Sequence, residues 1–118
     1  MTRTDCIFCR IIAGELPATV VHQDEICVAF RDINPQAPVH ILVVPREHFA
    51  SLDEATPERR ETLGHLLVTA ARVANAEGLT EKRGGYRTVI NTGPGVGQSV
   101  FHLHLHVLGG RPMSWPPG

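Results

Sequence analysis

Three histidines alternate with aliphatic residues in His102-Leu103-His104-Leu105-His106-Val107-Leu108, out of seven histidines in the 118-residue chain. In an extended strand, successive side chains point to opposite faces. The spacing therefore predicts three imidazoles on one face and Leu103, Leu105 and Val107 on the other, the first face for chemistry and the second for the core. A merely solvated strand face is rarely uniformly histidine. Two chemistries use such a row. In one, two or three imidazoles from a single strand bind zinc and leave a coordination position open. In the other, one imidazole is held through one nitrogen and offers the second as a nucleophile near neutral pH, forming a phosphoryl-histidine that water resolves.

The segment upstream favours phosphorus chemistry. Thr92-Gly93-Pro94-Gly95-Val96-Gly97-Gln98-Ser99 is a loop in which three glycines let backbone N–H groups turn toward an anion. It is not a dinucleotide fingerprint, because period two follows it and not a helix. The 11 basic and 12 acidic residues nearly cancel, so no global field favours nucleic acid and any anion site is local. The three cysteines, Cys6, Cys9 and Cys27, are odd in number, which fits a reducing compartment better than a disulfide framework. Cys6 and Cys9 raise a metal site, whereas Cys27 sits in an apolar run as a small buried hydrophobe. No run has the length to cross a bilayer and Met1 to Asp5 lack a signal-peptide core, so the expectation is a cytoplasmic protein with no membrane partner.

The elements that must position these groups read as one domain, 1–118. Asp5 is expected to cap a short helix over Cys6 to Ile12, stopped by Gly14 and Pro17. Thr19 to His22 and Ile26 to Arg31 read as a hairpin around Gln23-Asp24-Glu25. His40 to Pro45 is a continuous apolar run, hence a fully buried central strand. Thr56-Pro57-Glu58 starts one long helix, whose Leu63, Leu66, Leu67, Ala70, Val73 and Ala74 keep helical spacing until Gly78. Tyr86 to Asn91 and Val100 to Leu108 are the remaining strands. The short connections and the absence of βαβ alternation predict an α+β fold, an antiparallel sheet with helices to one side.

Taken with the preceding Gly97-Gln98-Ser99-Val100-Phe101, the histidine row resembles the signature of the histidine triad (HIT) superfamily. Ala29 to His40 and the ending Gly109 to Gly118 are similar to its Hint-like branch, so the resemblance spans nearly the whole chain. It implies a HIT-like fold: a five-stranded antiparallel sheet with one long and one short helix, and a homodimer whose two sheets run together. The dimer comes from the resemblance alone. The implied activity is hydrolysis of a purine nucleoside phosphoramidate. His104 attacks the α-phosphorus, an amine leaves, and water cleaves the nucleotidyl-histidine to AMP or GMP.

The resemblance also distributes the remaining roles. His106 and the glycine-loop N–H groups, with Gly97 and Gln98, would stabilise phosphate oxygens, and preorganised donors do most in the transition state. Ser99 would aid the leaving amine, His40 would stand beside the site, and Asn91 beside the phosphate. Asp32 would accept from both ribose hydroxyls, and Phe8, Ile11, Phe30 and Ile33 would line the base pocket. No organic cofactor is implied. Some bacterial HIT proteins with the cysteine pair bind a structural zinc, here through Cys6, Cys9, His48 and His102, a closed tetrahedral set. Residues 109–118, with Trp115, would form a C-terminal tail near the dimer partner. Two other functions stay open: turnover of dinucleoside polyphosphates by hydrolysis or phosphorolysis, and a non-catalytic nucleotide-binding protein that acts through partners.

Overall fold

The computed structural model describes residues 5–118. Five strands, β1 (Val20–Gln23), β2 (Cys27–Arg31), β3 (Val39–Pro45), β4 (Tyr86–Val89) and β5 (Leu105–Gly109), form one sheet in the order β1-β2-β3-β5-β4, with every neighbouring pair antiparallel. β3 lies in the middle and is buried at every position, as its unbroken apolar run predicts. Its alternate residues serve two cores. Val39, Ile41 and Val43 join Leu66, Ala70, Val73 and Ala74 of the long helix α2 (Arg60–Ala76), while Leu42 and Val44 join Phe8 and Cys9 of α1 (Ile7–Ile12).

The two helices therefore cover opposite faces of the sheet, which corrects the expectation of helices on one side. The reason lies in β2 and β3, which are apolar at consecutive positions and so leave both faces needing cover. Other boundaries shift too. The α1 cap is Cys6 and not Asp5: the Cys6 Sγ accepts from the Cys9 amide at 3.4 Å. The segment Pro57–Arg59 is a 3₁₀ turn before α2 begins. A third helix, α3 (Leu79–Arg83), follows Gly78, whose φ of +74° ends α2 where a glycine stop was expected. Leu79 is fully buried, and it packs so close to Gly109 that a Cβ there would stand 2.7 Å from a Leu79 methyl.

The largest departure concerns the histidine row. The laddered part of the expected Val100–Leu108 strand is only Leu105–Gly109. β5 pairs with β3 up to Leu105↔Val43, and beyond that point the chain leaves the ladder, with the Leu103 amide bonding the Phe49 carbonyl at 2.8 Å. The alternation nonetheless persists, since Leu103, Leu105 and Val107 all enter the α2-side core. Among the described residues no helix is long and apolar enough to cross a membrane. The part of the signal-peptide reading that falls on Met1 to Thr4 lies outside the described residues.

Candidate active site

On the α1 face, β2, β3, α1 and the segment 97–106 enclose a cavity of about 720 Å³. His40, His104, His106, Asp32, Ser99 and Gly97 stand around it, and Phe8, Ile11, Phe30 and Ile33 supply apolar wall. Ile33 is almost wholly exposed, so it forms part of the rim. Leu42 and the Leu16-Pro17-Ala18 turn add apolar surface that sequence reasoning missed; their types are those of ordinary core and turn residues, and only the tertiary fold brings them here.

The hydrogen bonds assign a nitrogen to each imidazole. The Gln36 backbone N–H donates to His40 Nδ1 at 3.0 Å, so His40 carries its proton on Nε2. That Nε2–H donates to His106 Nδ1 at 2.9 Å and lies 3.4 Å from Asp32 Oδ2. His106 is thereby left with its proton on Nε2, which is buried and has no partner among the described residues. Buried polar groups are nearly always paired, so an orphaned donor in the wall of a cavity marks a place for a ligand acceptor. Gln36, the source of this order, carries no motif signal; its backbone amide does the work, and Arg111 Nε steadies the same residue by donating to its carbonyl at 2.9 Å.

His104 is set the other way round. Its Nδ1–H donates to the His102 carbonyl at 2.8 Å, and Nε2 has no hydrogen bond among the described residues, so a lone pair is left on Nε2. Phe8 packs its edge against this ring, with centroids 5.0 Å apart. Burial pushes the His104, His40 and His106 pKa values down, that of His106 to about 4, so all three rings are neutral at pH 7. A neutral imidazole with its far nitrogen anchored is a nucleophile that needs no prior deprotonation.

Two of the expected nucleotide contacts stand back from the cavity. Gln98 is buried, and its side chain holds the glycine loop: Oε1 accepts from the Gly93 amide at 2.9 Å, and Nε2 donates to the Ala50 and Val100 carbonyls at 2.8 and 3.2 Å. Asn91 lies behind Gly97, whose φ of +103° only glycine adopts without strain. Gln98 supports the loop, and neither side chain is among those that line the cavity.

His102 turns away from its two partners in the row. Its Nε2–H donates to the Pro45 carbonyl at 2.8 Å, which points the Nδ1 lone pair at Cys6 Sγ (3.4 Å), Cys9 Sγ (3.6 Å) and His48 Nδ1 (3.1 Å); Cys9 Sγ is also 3.4 Å from His48 Nδ1. Ligands at about 2.1 Å (N) and 2.3 Å (S) from a tetrahedral zinc stand about 3.4 to 3.8 Å apart, close to the separations found. The second-nitrogen bond to a carbonyl is the usual orienting partner of a metal-bound histidine. These four residues can thus hold a metal ion. Among the described residues no metal-ligand cluster takes two of the three row histidines, so the open-site alternative built from one strand finds no support in the geometry.

The HIT domain profile matches residues 13–113. The chain belongs to the HIT family. It is 60% identical over 114 residues to an uncharacterized HIT-like protein of Synechococcus elongatus, covering 97% of both chains, and 54% identical to the 14 kDa zinc-binding protein of Zea mays, covering 95% of this chain and 87% of that one. The crystal structure of a HIT family hydrolase from Legionella pneumophila superimposes with a TM-score of 0.92 at 51% identity, covering 97% of this chain and all of the other.

Proposed function

We propose that this HIT protein is a hydrolase of purine nucleoside phosphoramidates that works through a nucleotidyl-His104 intermediate. The observation that carries the proposal is the opposed anchoring of two neighbouring imidazoles: His104 offers a lone pair at Nε2, and His106 offers an unpartnered N–H. A phosphoryl centre needs such a pair, one group to attack and one to receive the charge that builds on oxygen.

In the first step His104 Nε2 forms a bond to the α-phosphorus and the P–N bond to the amine breaks. The departing nitrogen takes a proton from solvent, passed through the Ser99 hydroxyl at the cavity edge, and the water that attacks in the second step returns one to solvent. The ring, now bonded at both nitrogens, keeps its Nδ1–H on the His102 carbonyl, which stabilises the charge it has gained. In the second step water attacks phosphorus, the N–P bond breaks, and AMP or GMP leaves. His106 Nε2–H and the amides around Gly97 hold the phosphate oxygens. Asp32 receives the ribose hydroxyls, and Phe8, Ile11, Phe30 and Ile33 receive the base.

Zinc belongs to the same proposal, in the Cys6, Cys9, His48 and His102 cluster, as a structural ion with no open position. It would fix the His102 backbone, whose carbonyl anchors the nucleophile. The homodimer is likewise proposed, with β1 and β4 as the sheet edges available for joining.

The test is AMP release from adenosine 5′-phosphoramidate, with rapid-quench mass spectrometry for adenylylated His104 and diadenosine polyphosphate assayed alongside. The expected result is an adduct on His104 and loss of turnover in His104→Ala. Equal rates for wild type and His104→Ala would refute the mechanism, and much faster turnover of the dinucleotide would refute the substrate class.

A further inference from the structure

Cys6 and Cys9 are placed to do more than hold a metal. Their Sγ atoms lie within 4.8 Å of one another, and both approach a single atom, His102 Nδ1, at 3.4 and 3.6 Å. The backbone brings them together. Cys6 caps α1 from an extended conformation (φ −102°, ψ 119°), and its Sγ lies over the first turn, accepting from the Cys9 amide at 3.4 Å. One helical turn puts the Cα atoms of residues three apart about 5 Å from each other, inside the range of about 4.4 to 6.8 Å that a disulfide spans. Joining the two sulfurs is thus within reach of side-chain rotation. Cys27 is no rival partner, because it is wholly buried in the core on the α2 side of the sheet, whereas Cys6 and Cys9 belong to the core on the α1 side.

The two thiols differ in access. Cys6, with His48, Ala50 and Ser99, lines an open hollow of about 500 Å³, and Cys9 does not line it and is only 2% exposed. A reagent as small as hydrogen peroxide reaches Cys6 from this hollow and finds Cys9 behind it, the order of an attacking and a resolving thiol. We propose that Cys6 and Cys9 are a peroxide-modified dithiol, whose oxidation to a disulfide withdraws both sulfurs from the metal cluster and loosens the anchor of His104.

The chemistry closes in two steps. The Cys6 thiolate attacks one peroxide oxygen, the O–O bond breaks, and hydroxide leaves with Cys6 as a sulfenic acid. The Cys9 thiolate then attacks the Cys6 sulfur, the S–O bond breaks, and a second hydroxide leaves. Peroxide has taken two electrons from the two sulfurs, and two solvent protons turn the hydroxides into water. The thiolate is the metal ligand, so a disulfide leaves only His48 and His102 of the four donors. His102 loses its neighbours at Nδ1, and its carbonyl, which accepts the His104 Nδ1–H at 2.8 Å, is free to shift.

The experiment treats the reduced full chain with hydrogen peroxide, in zinc-loaded and chelator-stripped form, with free glutathione oxidised alongside. Expected are the loss of two hydrogens in the intact mass, a peptide linking Cys6 to Cys9, a Cys27 that still alkylates after unfolding, and release of about one equivalent of zinc to a chelating dye. Dithiothreitol with zinc reverses all of these. In protein labelled with ¹⁵N-histidine, the His104 Nδ1–H signal, identified by its loss in His104→Gln, is expected to shift or broaden in the linked form. Cys27→Ala should behave as wild type. Cys6 and Cys9 that both still alkylate once the glutathione is fully oxidised would overturn the proposal, as would sulfinic acid at either position without a link. A His104 signal unmoved in the linked form would overturn the coupling to the nucleophile. None of these readouts uses turnover, so they stand apart from the phosphoramidase assay. A chain that holds no zinc and still forms the link supports the dithiol and refutes the zinc reading alone.

Discussion

Replacing His106 with phenylalanine separates stability from turnover more sharply than any other change at this site. His106 sits opposite Leu42 across the β3–β5 ladder, and a phenyl ring keeps a planar group of similar size there. Two terms act on the folded state. Losing the 2.9 Å bond from His40 costs about 0.5 to 1.5 kcal/mol, whereas removing a buried N–H that has no partner relieves about 1 to 3 kcal/mol. His40 Nε2–H keeps the Asp32 carboxylate at 3.4 Å, which softens the first term. The net is stability equal to wild type or higher by about 1 kcal/mol, a rise in Tm of about 4 to 6 °C for a chain of this length. Turnover moves the other way, because one fixed donor to a developing oxyanion is lost, a loss of about 10² to 10³ in kcat. Urea unfolding and single-turnover AMP release on the same preparation read both quantities. A variant destabilised by more than about 2 kcal/mol would show that the orphaned donor is in fact satisfied in the free protein. Full turnover in a stable variant would show that His106 does not touch the reacting phosphate.

Two further predictions concern pH and metal. His106 has a folded-state pKa of about 4 against an ordinary 6.5, so the unfolded chain binds its proton first as pH falls; stability from this group is complete above about 6.5, drops by about 1.4 kcal/mol per unit below that, and levels off near 4. Urea midpoints measured between pH 7.5 and 4.5 should lose this slope in His106→Phe, and an identical slope in both proteins would count against it. Cys9→Ser should reduce bound zinc to a small fraction of an equivalent and lower Tm by about 5 °C or more, because a stable ion adds directly to folding free energy; metal analysis with calorimetry checks both, and unchanged zinc content would exclude the cluster as its site.

Much of this site could be read from residue types alone. Alternation in 102–108 put the imidazoles on one side and the leucines on the other, and the core confirms it even where the ladder stops. The unbroken apolar run at β3 placed the central strand. The Cys6, Cys9, His48 and His102 cluster was legible only through family resemblance, since the cysteine pair, His48 and His102 lie 39 and more residues apart and become neighbours by tertiary folding. What stayed hidden has a common physical cause: it depends on main-chain groups or on side chains of no chemical distinction. The Gln36 amide that orders His40, the Leu16–Ala18 wall and the Gln98 bracing of the loop belong here. Helix α3 was missed because five residues between glycines carry too little periodicity to register. The opposite placement of α1 and α2 was implied by the consecutive apolar positions of β2 and β3, which need cover on both faces, but the six residues of α1 carry too little periodicity to assign that helix a face.

The row of three histidines is best understood through the nitrogen that each one commits. His102 donates Nε2–H to the Pro45 carbonyl and turns Nδ1 to the thiols; His104 donates Nδ1–H to the His102 carbonyl and keeps the Nε2 lone pair; His106 accepts a hydrogen bond at Nδ1 from His40 and keeps Nε2–H. The commitments are linked, because the carbonyl that anchors His104 belongs to the residue that the metal cluster would hold. Loosening that cluster shifts the His102 backbone, and with it the acceptor that keeps the His104 proton on Nδ1. The ladder with β3 ends at Leu105, so the His102 carbonyl lies outside it and accepts the His104 Nδ1–H, and one short sequence carries in turn a member of the metal-ligand cluster, the proposed nucleophile and the proposed donor.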